Sequence, residues 1–245
     1  MSTSVTPDSR FTHRQWQRRL RTWRPWIIAT LMFGLLAGIA WVLMVSSYLA
    51  AEKTDVAGTR QLSERDVLAA ADVAFGTPLL TLNLDEIHDR VAAVPEVAAV
   101  AVHRSWPNTV RISITEREAL AVVRDDADWW SMDKEGVLFG KSTARTELPP
   151  GLPIVKVAGD DPDTLGEVAA VVHALPPSLI TKVKSVTAQS MDSITLQLQG
   201  ARKVMWGSSA DSQRKTQVIN LLLAQSRADI FDVSVPQQPT SRAVE

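Results

Sequence analysis

VPEVAAVAVHRSWPNTVRISITERE, residues 94–118, decides the fold class. Val100 and Val102 alternate with smaller residues, Ser105 to Asn108 turn the chain, and Val110, Ile112 and Ile114 alternate with Arg111, Ser113 and Thr115. Successive strand side chains point to opposite faces, so this pattern reads as a hairpin with one apolar and one wet face. Trp106, Pro107 and Asn108 form its turn. Proline fixes its own φ and biases the residue before it to extended geometry, and the indole is expected to cover the core edge. Glu116 and Arg117 close the second strand and are expected to pair with neighbouring strands or backbone. Upstream, Leu62, Ser63, Asp66 and Val67 occupy the staple, cap, box and staple positions of a helix start, and Leu82, Asn83, Glu86 and Ile87 repeat them. Ile87, Val91 and Val94 continue one stripe until Pro95 stops the helix. With a short strand near Asp55 to Gly58, the order is strand, helix, helix, strand, strand.

Downstream the chain is strand-rich. Short strands are expected at Ala119 to Val123, Trp129 to Met132 and Val137 to Phe139, separated by the turns DDAD and DKEG. Another is expected at Ile154 to Val157, followed by a helix capped by Asp161 with Pro162 at its first position. Leu165, Val168, Val172 and Leu175 line one face of that helix, and Pro176 and Pro177 end it. Strands follow at Val183 to Ala188, Ile194 to Leu198 and Lys203 to Trp206, then a helix over Asp211 to Gln225 and a last strand over Ile230 to Val235. QQPTSRAVE, residues 237–245, lacks core residues and reads as a flexible tail. Trp129 and Trp130 are adjacent, so they face opposite sides of a strand and only one can be buried beneath a single cover.

The N-terminal side is of another kind. From Pro25 to Ala51 the chain runs for 27 residues without a charge, where a bilayer's ~30 Å hydrocarbon core needs about 20 helical residues. Six arginines (Arg10, Arg14, Arg18, Arg19, Arg21, Arg24) precede it against the single acid Asp8, whereas Glu52 to Asp66 carry four acids and three bases. That bias predicts a cytoplasmic N-terminus and an extracytoplasmic C-terminal part. Trp23 and Trp26 at one end and Tyr48 at the other suit the headgroup layer. Gly34 and Gly38 form a GxxxG pair through which a second membrane helix could approach.

Composition closes several routes. The 245 residues allow one or two domains, and 45% apolar with 22% charged residues is globular usage. A net charge of -1 gives no sign of nucleic-acid binding. No cysteine is present, so disulfides, thiol nucleophiles and Cys-based zinc sites are excluded. His13, His88, His103 and His173 have no ligand spacing, and there is no phosphate-cradling loop or nucleophile elbow. Asp125, Asp126 and Asp128 resemble a solvated turn, because nothing nearby supplies acid–base partners. No cofactor, metal, catalytic residue or small-molecule substrate is expected.

Five stretches together resemble the FtsQ/DivIB family of bacterial cell-division proteins: VAGTRQLSERDVLAAA, GTPLLTLN, the hairpin above, DWWSMDKEGVLF and INLLLAQSRADIFDVSVP. The resemblance implies an α+β chain: an N-terminal transmembrane helix, a POTRA domain of β-α-α-β-β order, then a strand-rich α+β domain. Its expected limits are a basic cytoplasmic tail over 1–24, the membrane helix over 25–51, the POTRA domain over 52–117, the FtsQ-type β domain over 118–236 and the flexible tail over 237–245.

The resemblance further implies a non-catalytic divisome scaffold at the septum, held in the cytoplasmic membrane by a single span. Its partners would be FtsB/DivIC-like and FtsL-like division proteins and other divisome components, linked to septal cell-wall synthesis. In the family the last strands and the preceding helix carry the FtsB contact. Carried onto this chain, the partner-binding residues are Val233, Ser234 and Val235, with Phe231 either in contact or in the core. The expected mode is β-augmentation of an open edge at Ile230 to Val235. Two other classes fit less well: a POTRA-type polypeptide transport component would carry its own barrel strands, and a membrane-anchored cell-wall enzyme would need a nucleophile or metal cluster.

Overall fold

The structure, a computed structural model, describes residues 12–45, 47–125, 127–157 and 161–243. Arg10 and Asp8 of the basic tail and Asp126 of the acidic turn lie outside the described residues. The first element is α1 (Thr12–Val45), with Pro25 inside it. It begins well before the uncharged run because Arg, Gln and Leu upstream are good helix formers. Among the described residues no helix is long and apolar enough to cross a membrane, so the span expected over 25–51 does not follow from the fold. The large apolar side chains of α1, from Trp23 to Val42, are nonetheless exposed.

The helix stops at Val45, six residues short of the uncharged run's end. A 3₁₀ turn over Ser47–Leu49 follows, and Ala50 and Ala51 are buried. Ala51 N–H donates to Thr77 O, Gly76 N–H to Ala51 O, and Leu79 N–H to Leu49 O. Small apolar residues suit a protein core as well as a membrane, which is why the sequence alone could not separate the two at this end.

Next come β1 (Lys53–Ala57), α2 (Glu64–Ala71), α3 (Leu84–Ala92), β2 (Val97–Ser105) and β3 (Thr109–Glu116), in the strand, helix, helix, strand, strand order. They form a three-stranded sheet of order β1-β3-β2, with β1 parallel to β3 from Lys53↔Thr109 to Ala57↔Ser113. Asn83 caps α3 by accepting the Glu86 N–H at 3.3 Å. Val67, Leu79, Ile87, Val110 and Ile112 are buried.

The remaining elements are β4 (Ala121–Asp125), β5 (Asp128–Met132), β6 (Leu138–Ser142), β7 (Ile154–Val157), α4 (Pro162–Ala174), α5 (Pro177–Ile180), β8 (Val183–Ala188), β9 (Ile194–Leu198), β10 (Lys203–Gly207), α6 (Ser212–Gln225), β11 (Ile230–Asp232) and β12 (Thr240–Arg242). Among the described residues nine strands make one mixed sheet of order β12-β11-β10-β9-β8-β7-β4-β5-β6. Buried and less buried residues alternate along β9, as they must when one face is core and the other wet. Val168, Val172 and Ile219 from α4 and α6 join Val155, Val186, Leu196, Val204, Trp206 and Phe231 in the core. Asp161 caps α4 through the Thr164 N–H at 3.1 Å. Trp130 packs against this core, while the Arg124 guanidinium lies 5.5 Å from the Trp129 ring.

The chain divides into two compact units, one of residues up to Ala57 with Arg65–Asp89 and Ala101–Ser113, the other of Gly58–Glu64, Arg90–Val100 and Ile114–Glu245. The loop after β1 falls in the larger unit because it folds around Glu116. That carboxylate accepts the N–H groups of Arg60, Gln61 and Leu62. Gly58, at φ +96°, lies so close to Ile114 O that a Cβ would sit 2.0 Å from it.

Candidate partner-binding edge

The C-terminal edge of the large sheet is assembled from β10 outward. Trp206 is fully buried and its Nε1–H donates to Ser212 Oγ at 3.3 Å, while the Ser212 hydroxyl donates to Ser209 O at 2.7 Å. Ser209 N–H reaches the Glu167 carboxylate of α4 at 2.6 Å. Lys215, 2% exposed, donates from Nζ to Ser208 O at 2.9 Å. Burial pushes its pKa below the usual lysine range, against the charges of Asp211 and Glu167. The β10–α6 connection is therefore bonded to α4 and to itself, which fixes the start of α6. Ile219 anchors α6 in the core, Val218, Leu222 and Leu223 are half-buried against it, and Leu221 is exposed.

β11 lies parallel to β10, with Val204↔Phe231 and Met205↔Asp232 opposed. The Val233 N–H continues the pairing to Met205 O at 2.9 Å. The Asp232 carboxylate then accepts the Ser234 N–H at 3.0 Å and hydroxyl at 2.6 Å, an Asx-type turn that ends the strand.

Here the sequence reading needs correction. β11 is three residues long rather than six, and it is not the edge. The segment expected to be a loose tail returns as β12 and pairs antiparallel with it through Ile230↔Arg242, Phe231↔Ser241 and Asp232↔Thr240. Phe231 and Val233 are fully buried, Phe231 in the core alternative that its sequence position left open, so neither side chain is presented at the surface. Ser234 and Val235 are exposed, but in the turn between β11 and β12. Among the described residues the outermost strand is β12, whose three residues are exposed and whose far side pairs with no strand. No apolar pattern marks Thr240 to Arg242; their pairing is made by backbone groups, which every sequence carries.

Trp106 also departs from expectation: it is 51% exposed rather than laid over the core. The turn is held instead by Asn108, whose carbonyl accepts the Glu52 and Lys53 N–H groups and whose Nδ2 donates to Glu52 at 2.9 Å; the Trp106–Pro107 peptide is cis. At Gly34 and Gly38 an added Cβ would meet nothing within 4 Å, so that face of α1 is open.

Several carboxylates of the second unit are engaged in structure. A cleft of about 970 Å³ is lined by Arg60, Glu116, Ser131, Phe139, Ser142 and Glu147 among others. Within it Glu116 is committed to three backbone N–H groups and Glu147 accepts the Ser142 hydroxyl. Asp128 pairs with Lys141 at 2.7 Å. Among the described residues no group of His, Asp and Glu is arranged to hold a metal ion.

Comparison with known proteins agrees with this architecture. Residues 49–117 match the POTRA domain, FtsQ-type, and residues 121–234 match the Cell division protein FtsQ/DivIB, C-terminal family. A Cell division protein FtsQ of Streptomyces collinus is 32% identical over 230 residues, covering 88% of this chain and 86% of that protein. One of Streptomyces bingchenggensis is 34% identical over 223 residues, covering 86% and 82%. Among solved structures, the major extracytoplasmic domain of the trans isomer of DivIB from Geobacillus stearothermophilus is 15% identical with a TM-score of 0.31, covering 36% of this chain and 76% of that one.

Proposed function

Because this chain belongs to the FtsQ/DivIB family of cell-division proteins, we propose that it serves division as a non-catalytic scaffold that binds FtsB/DivIC-like and FtsL-like proteins at the septum. One observation carries the binding reading: among the described residues β12 ends the sheet, its far side paired with no strand. An edge strand offers free N–H and C=O groups, so an extended segment of a partner can continue the ladder. The contact residues in this reading are Thr240, Ser241 and Arg242, with Ser234 and Val235 at the margin.

The same reading anchors the protein in the cytoplasmic membrane through α1, N-terminus inside and folded part outside. Its support is the uncharged stretch after Arg24 and the exposed apolar surface of that helix. Gly34 and Gly38 are the proposed packing face toward a partner's membrane helix.

A photo-crosslinker at Ser241 in dividing cells is expected to capture the FtsB-like protein, and Ser241→Pro, which removes a ladder donor, to abolish capture from a neighbouring position. Capture at Lys141 of β6 but none at Ser241 would reject the β12 edge. A reporter fused after the C-terminus that proved cytosolic would reject the topology.

A further inference from the structure

The exposed apolar residues of the first unit outside α1 gather where α1 leaves it. They are Tyr48, 87% exposed, Phe75, 62%, Leu80, 44%, and Trp106, 51%. Backbone bonds bring their segments to one end of the unit. Leu49 O accepts Leu79 N–H, Ala51 exchanges bonds with Thr77 and Gly76, and Asn108 O accepts Glu52 N–H. Arg104 fixes the same loop from the hairpin side, donating to Leu82 O at 2.7 Å and also to Leu79 O. The loop is therefore held in place by its buried Val73, Leu79 and Leu82, with Phe75 and Leu80 outward.

Core packing accounts for Val73, Leu79 and Leu82, but not for the exposed Phe75 and Leu80. Residues 73–84, VAFGTPLLTLNL, contain no charge. Water selects charged and polar residues in such a loop, whereas tryptophan, tyrosine and neighbouring aliphatic side chains favour the headgroup boundary of a bilayer. The reach also fits. Leu49 follows the last residue of α1, Val45, by four residues, which span at most about 14 Å. The interfacial layer beyond the hydrocarbon core is itself roughly 5–8 Å deep on each side.

We propose that this end of the first unit rests in the interfacial layer of the bilayer, with Tyr48, Phe75, Leu80 and Trp106 as its contact residues. The proposal depends on α1 being the membrane anchor. Docking by four side chains would fix the height of the unit above the membrane, so that it does not swing freely on its tether.

The chain has no cysteine, so single labels can be placed without other changes. The full chain is reconstituted in vesicles of phosphatidylethanolamine and phosphatidylglycerol. An environment-sensitive fluorophore is attached in turn to Leu35→Cys, Phe75→Cys, Leu80→Cys, Trp106→Cys and Ala57→Cys. Ala57 is exposed at the far end of β1, about 13 Å from Lys53 by strand rise. Labels at 75, 80 and 106 should be quenched by a headgroup-nitroxide lipid and protected from aqueous iodide, with the reverse at 57. A label at 35 quenched by iodide would overturn the anchor reading and the docking with it. A label at 35 in lipid, with 75, 80 and 106 as open to iodide as 57, would overturn the docking alone. Protection from iodide without nitroxide-lipid quenching would mean contact between chains and would likewise overturn it.

Discussion

Arg117 and Asp133 form an ion pair out of solvent, with side chains 14% and 3% exposed, between the residue that follows β3 and the turn that joins β5 to β6. Each is satisfied on its remaining sides. Arg117 also donates to Pro95 O and Val97 O, both at 2.9 Å, and Asp133 accepts the Glu135 N–H at 3.0 Å and the Val137 N–H at 2.8 Å. Removing one partner strands the other's charge, which typically destabilises by about 3–5 kcal/mol. Asp133→Ala should fall in that range by urea denaturation of the solubilised chain, and the double variant Asp133→Ala with Arg117→Met should recover part of the loss.

Acid should reveal two carboxylates. Burial raises the pKa of Asp133, but its hydrogen bond with Arg117, the Val137 N–H, the Arg117 charge and the Glu135 N–H together hold it below the usual range. Burial likewise raises Glu116, and the N–H groups of Arg60, Gln61 and Leu62 outweigh it. A carboxyl whose folded pKa lies below its unfolded one contributes fully above the unfolded value and loses that contribution as pH falls through the folded one. The unfolded values are about 3.9 for Asp and 4.3 for Glu. Melting temperature should therefore be flat from pH 7 to 5 and fall below about pH 4, less steeply in Glu116→Gln than in the parent. Equal slopes would show that Glu116 does not contribute.

Much of this fold was legible because local rules and tertiary structure agree. Asn83 and Asp161 cap where a short polar side chain before an apolar stripe should, and β7, β8 and β9 have the limits that alternation predicts. Glu116 and Arg117 also do what residues closing a strand were expected to do, pairing with neighbouring backbone. The miss at the candidate site has a single cause. Apolar pattern finds strands that bury side chains, and β12 buries none, so the strand that defines the edge was read as tail while its covered neighbour β11 was read as edge. Ala50 and Ala51 were misassigned for the converse reason, since burial in protein and burial in lipid select the same residues.

The edge also depends on a glycine. Gly207 has φ +77°, and a Cβ there would lie 3.0 Å from Ser234 Cβ and 3.3 Å from its Cα. Gly207→Ala should lose about 1–2 kcal/mol from the left-handed backbone alone, with a further loss from displacing the turn after β11. Adding Ser234→Gly should return the second loss and not the first, as read from urea midpoints of the two variants.

Lys215 should make stability rise with pH over a range where most proteins lose it. Its ammonium is buried with a hydrogen bond to Ser208 O, and burial lowers its pKa although Asp211 and Glu167 oppose the shift. Between that lowered value and the unfolded lysine value of about 10.4, the unfolded chain binds more protons than the folded one. Raising the pH through this interval therefore favours folding, the opposite sign to a paired surface lysine. Lys215→Met keeps the volume and removes the titration. Its stability at pH 7 should stay within about 1.5 kcal/mol of the parent, since relief of a buried charge offsets the donor lost to Ser208 O. The parent should then gain on Lys215→Met as the pH is raised towards the unfolded lysine value, in parallel denaturation curves. A constant difference across that interval would mean that the ammonium is as well solvated in the folded protein as in the unfolded chain.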